Sequence, residues 1–256
     1  MSSVKQELLA AIGQVENAVQ ALREAGEEVT LFYTAPEPAP AKVVPPSAPA
    51  QVPPKTVPAK TTSPAKATPS LGAFESLAAE VKACTACALH RDRQQIVFGE
   101  GSQEAPVVFV GEAPGAEEER EGRPFRGPAG ELLDKILASI GLDRNRVYLC
   151  NLLKCRLPGN RNPTPEEIGA CRGYLERQLA LLKPRLIVTL GAFAAQTLLQ
   201  TSEPLSRLRG QDHAFNGIPV IPTLHPEALI FHPQNKRQVW EDMKLVAAKL
   251  KHNARG

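Results

Sequence analysis

Near the start of the chain Leu8, Leu9, Ile12, Val15, Val19 and Leu22 recur at helical spacing, and the pattern closes at Gly26. That periodicity predicts one amphipathic helix within residues 4–34. The pattern then stops. Residues 35–70 are dominated by Pro, Ala and Lys, with almost no large apolar side chains. Such a segment cannot bury enough surface to offset the entropy of ordering, so an extended, disordered linker is expected. Lys42, Lys55, Lys60 and Lys66 would give it a weak hold on a polyanion, but a passive spacer is the simpler reading.

From Leu71 onward, residues 71–256 change character. Apolar runs of strand length occur at Val107–Val110, Val147–Leu149, Leu186–Leu190 and Pro219–Leu224. Helical patterns lie between and after them, near Gly130–Ile140, Pro165–Leu182, Phe193–Leu199 and Lys236–Leu250. The start at 165 is well marked, with Thr164 as N-cap, Pro165 in the first turn and Glu167 three residues after the cap. Strands and helices alternating at this spacing predict an α/β domain: a central four-stranded parallel sheet flanked by helices on both faces. In such sheets working residues gather at the carboxyl ends of the strands. The loop "GEAPG" after Val110, Asn151, Gly191 and His225 all fall there.

Composition narrows the setting. Hydrophobic residues make up 43% of the 256-residue chain, enough for a sizeable core, and the formal charge of +3 is too small to name a partner. No stretch approaches a membrane-spanning length, and the N-terminus lacks an apolar signal core. Five cysteines argue against a secreted disulfide framework and for a reducing, cytoplasmic compartment. Four of them form a set: Cys84 and Cys87 in a CxxC pair, then Cys155 and Cys171. A two-residue spacer puts both sulfurs of the pair on one side of a turn, so the set can bracket one metal centre. Spacing permits either structural zinc or an iron–sulfur cluster, zinc being the commoner choice. Cys150, in the apolar run "VYLCNLL", reads as a core thiol.

The loop "VGEAPGAEEEREGRPFRG" resembles a phosphate-cradling turn, but Glu117, Glu118, Glu119 and Glu121 would repel a polyphosphate, and no Gly-Lys-Ser/Thr follows. A nucleotide-binding enzyme is therefore disfavoured. Phe125 in "GRPFRG" is either a lid on the core or a stacking platform for a planar ligand. Asn151, at a strand end, carries one acceptor and two donors, a pattern that matches the N3–H and O4 edge of uracil and mismatches cytosine. His225 stands in a rigid His-Pro turn.

The ordered set "CxxC … GEAPG … GRPFxGxAGxLLD … NxxKCR … C … HP" resembles the family 4 uracil-DNA glycosylases, the iron–sulfur branch of their superfamily. The resemblance covers about residues 71–250, which makes 71–256 a uracil-DNA glycosylase catalytic domain. It implies that Cys84, Cys87, Cys155 and Cys171 hold a structural [4Fe-4S] cluster and that no catalytic metal is used. It implies that Gly111, Glu112, Ala113, Pro114 and Gly115 line a uracil pocket, that Phe125 stacks on the flipped base, and that Asn151 reads its edge. His225 would contact uracil O2 as the bond breaks, and Glu112 would position water or guard the pocket against the thymine methyl. The implied substrate is uracil-containing DNA, single- or double-stranded, acted on by a monomer in base excision repair. Arg156 and Arg161 are candidate phosphate contacts, and Leu229 or Phe231 the candidate wedge into the duplex.

Four positions depart from the family pattern: Glu119 where Asp is common, Arg126 where a small apolar residue is common, and the pair Phe231-His232 where Arg-Asn is frequent. The chain also lacks the long basic insertion and key histidine of the relative that bonds covalently to abasic DNA. A competing class is a non-catalytic iron–sulfur or zinc module binding nucleic acid or protein, with the N-terminal helix as an arm for an unknown protein partner.

Overall fold

The computed structural model describes residues 71–252, so the helix expected within 4–34 and the linker at 35–70 lie outside the described residues. Six strands form one mixed sheet: β1 (Glu100–Gly101), β2 (Val107–Gly111), β3 (Tyr148–Asn151), β4 (Leu186–Leu190), β5 (His213–Phe215) and β6 (Ile218–Thr223). Their order across the sheet is β1-β3-β2-β4-β6-β5. The four central strands are those expected and run parallel, whereas β1 and β5 add an antiparallel strand at each edge. The expected four-stranded parallel sheet is thus corrected to a six-stranded mixed one. Two- and three-residue edge strands carry too few positions to display a period of two. β5 and β6 are joined at Asn216-Gly217, both with positive φ (48° and 81°), as a tight hairpin requires.

Alternation along the central strands sorts their side chains to two faces. Val107 and Phe109 of β2 join Val188 and Leu190 of β4 on one face, where they meet three helices: α3 (Gly127–Ser139), α7 (Pro226–Phe231) and α8 (Lys236–His252). Val108, Val110 and Ile187 point to the other face, covered by α1 (Leu71–Ala83), α4 (Pro165–Leu182) and α5 (Ala192–Leu199). The short α2 (Ala116–Glu121) and α6 (Leu205–Leu208) complete the set of α-helices among the described residues. α4 begins and ends where the sequence puts it. Thr164 caps it by accepting from the Glu167 N–H, while the Glu167 carboxylate takes the Thr164 N–H at 2.8 Å. α1 was not anticipated, although Phe74, Leu77 and Val81 give it a buried stripe.

The end of β6 is fixed by a buried polar knot. Asp242 of α8 accepts two bonds from Arg209, at 2.8 and 3.1 Å, and one from the Thr223 hydroxyl at 2.6 Å. Asp242→Ala would leave the Arg209 guanidinium without its counter-charge, held only by Gln238, and the buried Thr223 hydroxyl without its acceptor. Removing one member of a buried ion pair costs about 3–5 kcal/mol, so a large fall in the denaturation midpoint with an unchanged m-value is expected. A midpoint within experimental error of wild type would show that the knot contributes little.

Candidate active site

β2 and β3 run side by side and end in register, Gly111 opposite Asn151. The pairing continues past both strand ends, with Leu152 N–H to the Gly111 carbonyl and Leu153 N–H to the Glu112 carbonyl, each at 2.9 Å. Asn151 is buried, and its side-chain oxygen lies directly over Gly111. Any Cβ at Gly111 would collide with that oxygen and stand 2.8 Å from Cζ of Phe125. Gly111 is required here for close approach, not for an unusual backbone angle. Gly111→Ala is expected to fold but to displace both neighbours. A shift of about 1 Å in a reacting geometry costs on the order of a hundredfold in rate, which single-turnover measurements would register. An alanine enzyme as fast as wild type would refute the close packing.

Phe125 is buried at 3% exposure and holds φ at 53°, a left-handed conformation uncommon for a non-glycine residue. The surroundings enforce it. Arg144 of the loop after α3 donates to the carbonyls of Pro124 and Phe125, and the Phe125 N–H donates to Glu118. The ring faces His225, with centroids 6.1 Å apart and planes inclined by 33°. His225 is the N-cap of α7 and accepts the Glu227 N–H on Nδ1 at 3.2 Å. A neutral imidazole that accepts on Nδ1 carries its proton on Nε2 and presents it as a donor. Burial pushes the ring's pKa down to about 4, so the neutral form prevails at physiological pH.

The residue missed from sequence is Glu118. Its carboxylate accepts the Gly115 N–H at 2.5 Å, the Phe125 N–H, and the Asn151 side-chain amide at 3.5 Å. One half-buried carboxylate therefore ties the glycine turn, the aromatic and the amide together. Burial raises its pKa, against the lowering effect of those three bonds. Glu119 and Glu121 of the acidic run are also engaged. Glu119 is buried, accepts the Gln94 N–H at 3.1 Å and lies 3.7 Å from Arg156, and Glu121 pairs with Arg126 at 3.2 Å. The signal was present in the sequence: Glu118 is three residues after a glycine N-cap, the capping-box position. Glu112 is half-buried, and burial, then the Glu227 charge, raises its pKa. Ala113, Pro114 and Gly115 complete the turn between β2 and α2.

The four cysteines come together. Cys84 follows α1, Cys87 lies one turn on, Cys155 follows β3, and Cys171 lies on α4; all four line one pocket with Arg93, Lys154 and Tyr174. Two of the sulfurs accept hydrogen bonds from the protein: Arg93 donates to Cys155 and the Ala86 N–H to Cys84, both at 3.4 Å. Burial raises the thiol pKa of Cys155, and that of Cys171 up to about 11. No group of three or more His, Cys, Asp or Glu among the described residues forms a single-ion site. Cys150 is fully buried in β3, as expected of a core thiol.

The expected DNA contacts fare unevenly. Phe231, at the end of α7, is 72% exposed, but Leu229 is 1% exposed within the core and is corrected here. A wedge must leave the protein surface, and Leu229 would have to abandon its core packing to do so. Arg161 is bound through both guanidinium nitrogens to Glu167, and Arg156 faces Glu119. Both arginines reach the surface with a carboxylate partner.

The parallel core of this mixed sheet gathers an amide, an aromatic ring and a neutral imidazole at its strand ends, which defines an α/β protein with a polar, aromatic-lined site there. A profile of the Uracil DNA glycosylase superfamily matches residues 98–244, more than half of the chain, and the chain belongs to that family. It is 41% identical over 181 residues to the type-4 uracil-DNA glycosylase of Archaeoglobus fulgidus, covering 68% of this chain and 91% of that protein. Against the type-4 uracil-DNA glycosylase of Thermotoga maritima the identity is 43% over 175 residues, covering 67% and 91%. A type-5 uracil-DNA glycosylase of Thermus thermophilus matches over a shorter stretch, 39% identical across 40% of this chain and 53% of that protein.

Proposed function

We propose that this chain rotates uracil out of DNA and hydrolyses the bond between the base and deoxyribose, releasing uracil and leaving an abasic site. It is a uracil-DNA glycosylase, a hydrolase of DNA repair. The observation that carries the mechanism is the convergence of Asn151, Phe125 and His225 around Gly111. The base must leave the stack before any residue reaches the bond. Phe125 then holds the ring plane, and Asn151 pairs with the N3–H and O4 edge. Cytosine reverses those donor and acceptor positions, so its entry would leave buried groups unpaired. As the bond stretches, negative charge grows on uracil, and the Nε2–H of His225 with backbone N–H groups of the 111–115 turn stabilises it. Glu112, half-buried with a raised pKa, would position water or shape the pocket.

Cys84, Cys87, Cys155 and Cys171 would hold a [4Fe-4S] cluster. Four sulfurs spread around one pocket, without a single-ion site among them, suit a polynuclear group better than one zinc ion. When bound, the cluster ties together the segment after α1, the segment after β3 and helix α4, and supplies no redox step to a hydrolysis. Phe231 is the wedge candidate, and Arg156 and Arg161 the phosphate contacts. No helix among the described residues is long and apolar enough to cross a membrane. We take the working unit to be a monomer and residues 4–34 to be an arm for a protein partner. Uracil release from single- and double-stranded oligonucleotides by the full chain tests the activity. Tight DNA binding with no released uracil would favour the non-catalytic module instead.

A further inference from the structure

Lys154 is the one lysine among the described residues that is fully enclosed, at 1% exposure, and no carboxylate pairs with it there. Its Nζ turns back and donates to the main-chain carbonyl of Asn151 at 2.7 Å. Its own main-chain carbonyl accepts the Val97 N–H at 2.8 Å. The side chain passes 6.0 Å from the Phe98 ring and lines the cysteine pocket. A buried ammonium without a counter-charge is costly, and an aromatic face and one carbonyl offset only part of that cost. The missing charge is available next door. Four thiolates around an iron–sulfur core carry a net negative charge, and the protein tunes such centres through nearby charge and hydrogen bonds.

We propose that Lys154 is a positioning residue that fixes the Asn151 main chain from the side of the cysteine pocket, with the anionic centre held there as its counter-charge. The inference rests on the glycosylase and cluster readings above. It gives the cysteine centre a specific route to the uracil pocket: Lys154 lines the cysteine pocket next to Cys155, and its Nζ holds the main chain of the residue that reads the base. The route spans one short segment, Asn151 to Cys155, whose middle is already pinned by the bonds of Leu152 and Leu153 to the Gly111 and Glu112 carbonyls.

Three holoproteins test it: wild type, Lys154→Met, which keeps an unbranched stem without charge, and Lys154→Arg, which keeps the charge. Iron content, the reduction potential of the cluster, DNA affinity and single-turnover uracil release are read on each. Lys154→Met is expected to shift the potential to more negative values, since loss of a nearby cation disfavours adding an electron. It should also slow release at least tenfold, about 1.4 kcal/mol in barrier, with DNA affinity unchanged. Lys154→Arg should hold the potential near that of wild type. Should the methionine protein fail to fold, Lys154→Gln is expected to show the same negative shift. A wild-type potential in the uncharged variant, or a shifted potential with a wild-type release rate, overturns the inference. Absence of iron or of uracil release in wild type would sink the underlying readings instead.

Discussion

His225→Ala should slow single-turnover uracil release by roughly 100- to 1000-fold, while affinity for uracil-containing DNA changes little. Removing one preorganised donor from a site where charge develops costs about 2.7–4 kcal/mol, and the loss falls on the transition state because uracil is neutral until its bond stretches. The imidazole suits that task. Its Nδ1 is occupied by the Glu227 N–H at 3.2 Å, which leaves Nε2–H as the donor, and the ring packs beside Phe125. Burial pushes its pKa down from 6.5 to about 4, so above about pH 6 it acts as a neutral donor and the rate should be flat with respect to its titration. The sign for stability is the opposite of a salt-bridged histidine. Between pH 6.5 and about 4 the unfolded chain binds the proton that the folded ring refuses, so stability falls as pH falls through that window. His225→Ala should lack that acid sensitivity, measured by denaturation midpoints between pH 7 and pH 4. A rate loss of threefold or less would remove His225 from the mechanism.

How much of this was legible in the sequence depends on the range of the interaction that decides each feature. The central strands and helices α3, α4, α5 and α8 declare themselves through local periodicity and caps, as at Thr164, whereas α1 went unread. β1 and β5 do not, because pairing with β3 and β6 creates them, although the Asn216-Gly217 step carried a hairpin signal. His225 was read as part of a turn, whereas it caps a short helix, and Leu229 within that helix belongs to the core. An apolar residue in a six-residue helix gives no indication of which way it faces until the packing is known. In the site, Asn151, Phe125 and His225 were legible as residue types that fit a planar base. The role of the acidic run was not. Read as charge alone it looks like a shield against phosphate; in the fold Glu118 and Glu119 turn inward to accept backbone N–H groups.

Glu118→Gln separates those two views. If the acidic run acts only by repelling phosphate, removing one charge should tighten DNA binding and leave the chemistry intact. The geometry predicts the reverse. Oε1 accepts from Phe125 and Asn151, and Oε2 accepts from Gly115. An amide keeps one acceptor and puts an NH2 where the other stood, so the N–H of either Gly115 or Phe125 must face a donor. An unsatisfied buried group costs about 1–3 kcal/mol, and the denaturation midpoint should fall accordingly. The rate should fall further than stability suggests, on the order of a hundredfold, because the same carboxylate sets the position of Phe125 and of the Asn151 amide. The cost also carries a pH signature. Burial raises the folded-state pKa of Glu118 above its ordinary value of 4.5, so the folded protein binds that proton more tightly than the unfolded chain. Its contribution to stability therefore declines as pH rises through the interval between the two values. Glutamine has no proton to lose, and the stability gap between wild type and Glu118→Gln should narrow from the acid side of that interval to neutral pH. A variant that binds DNA more tightly and releases uracil at the wild-type rate would return the acidic run to the surface role that its charge suggests.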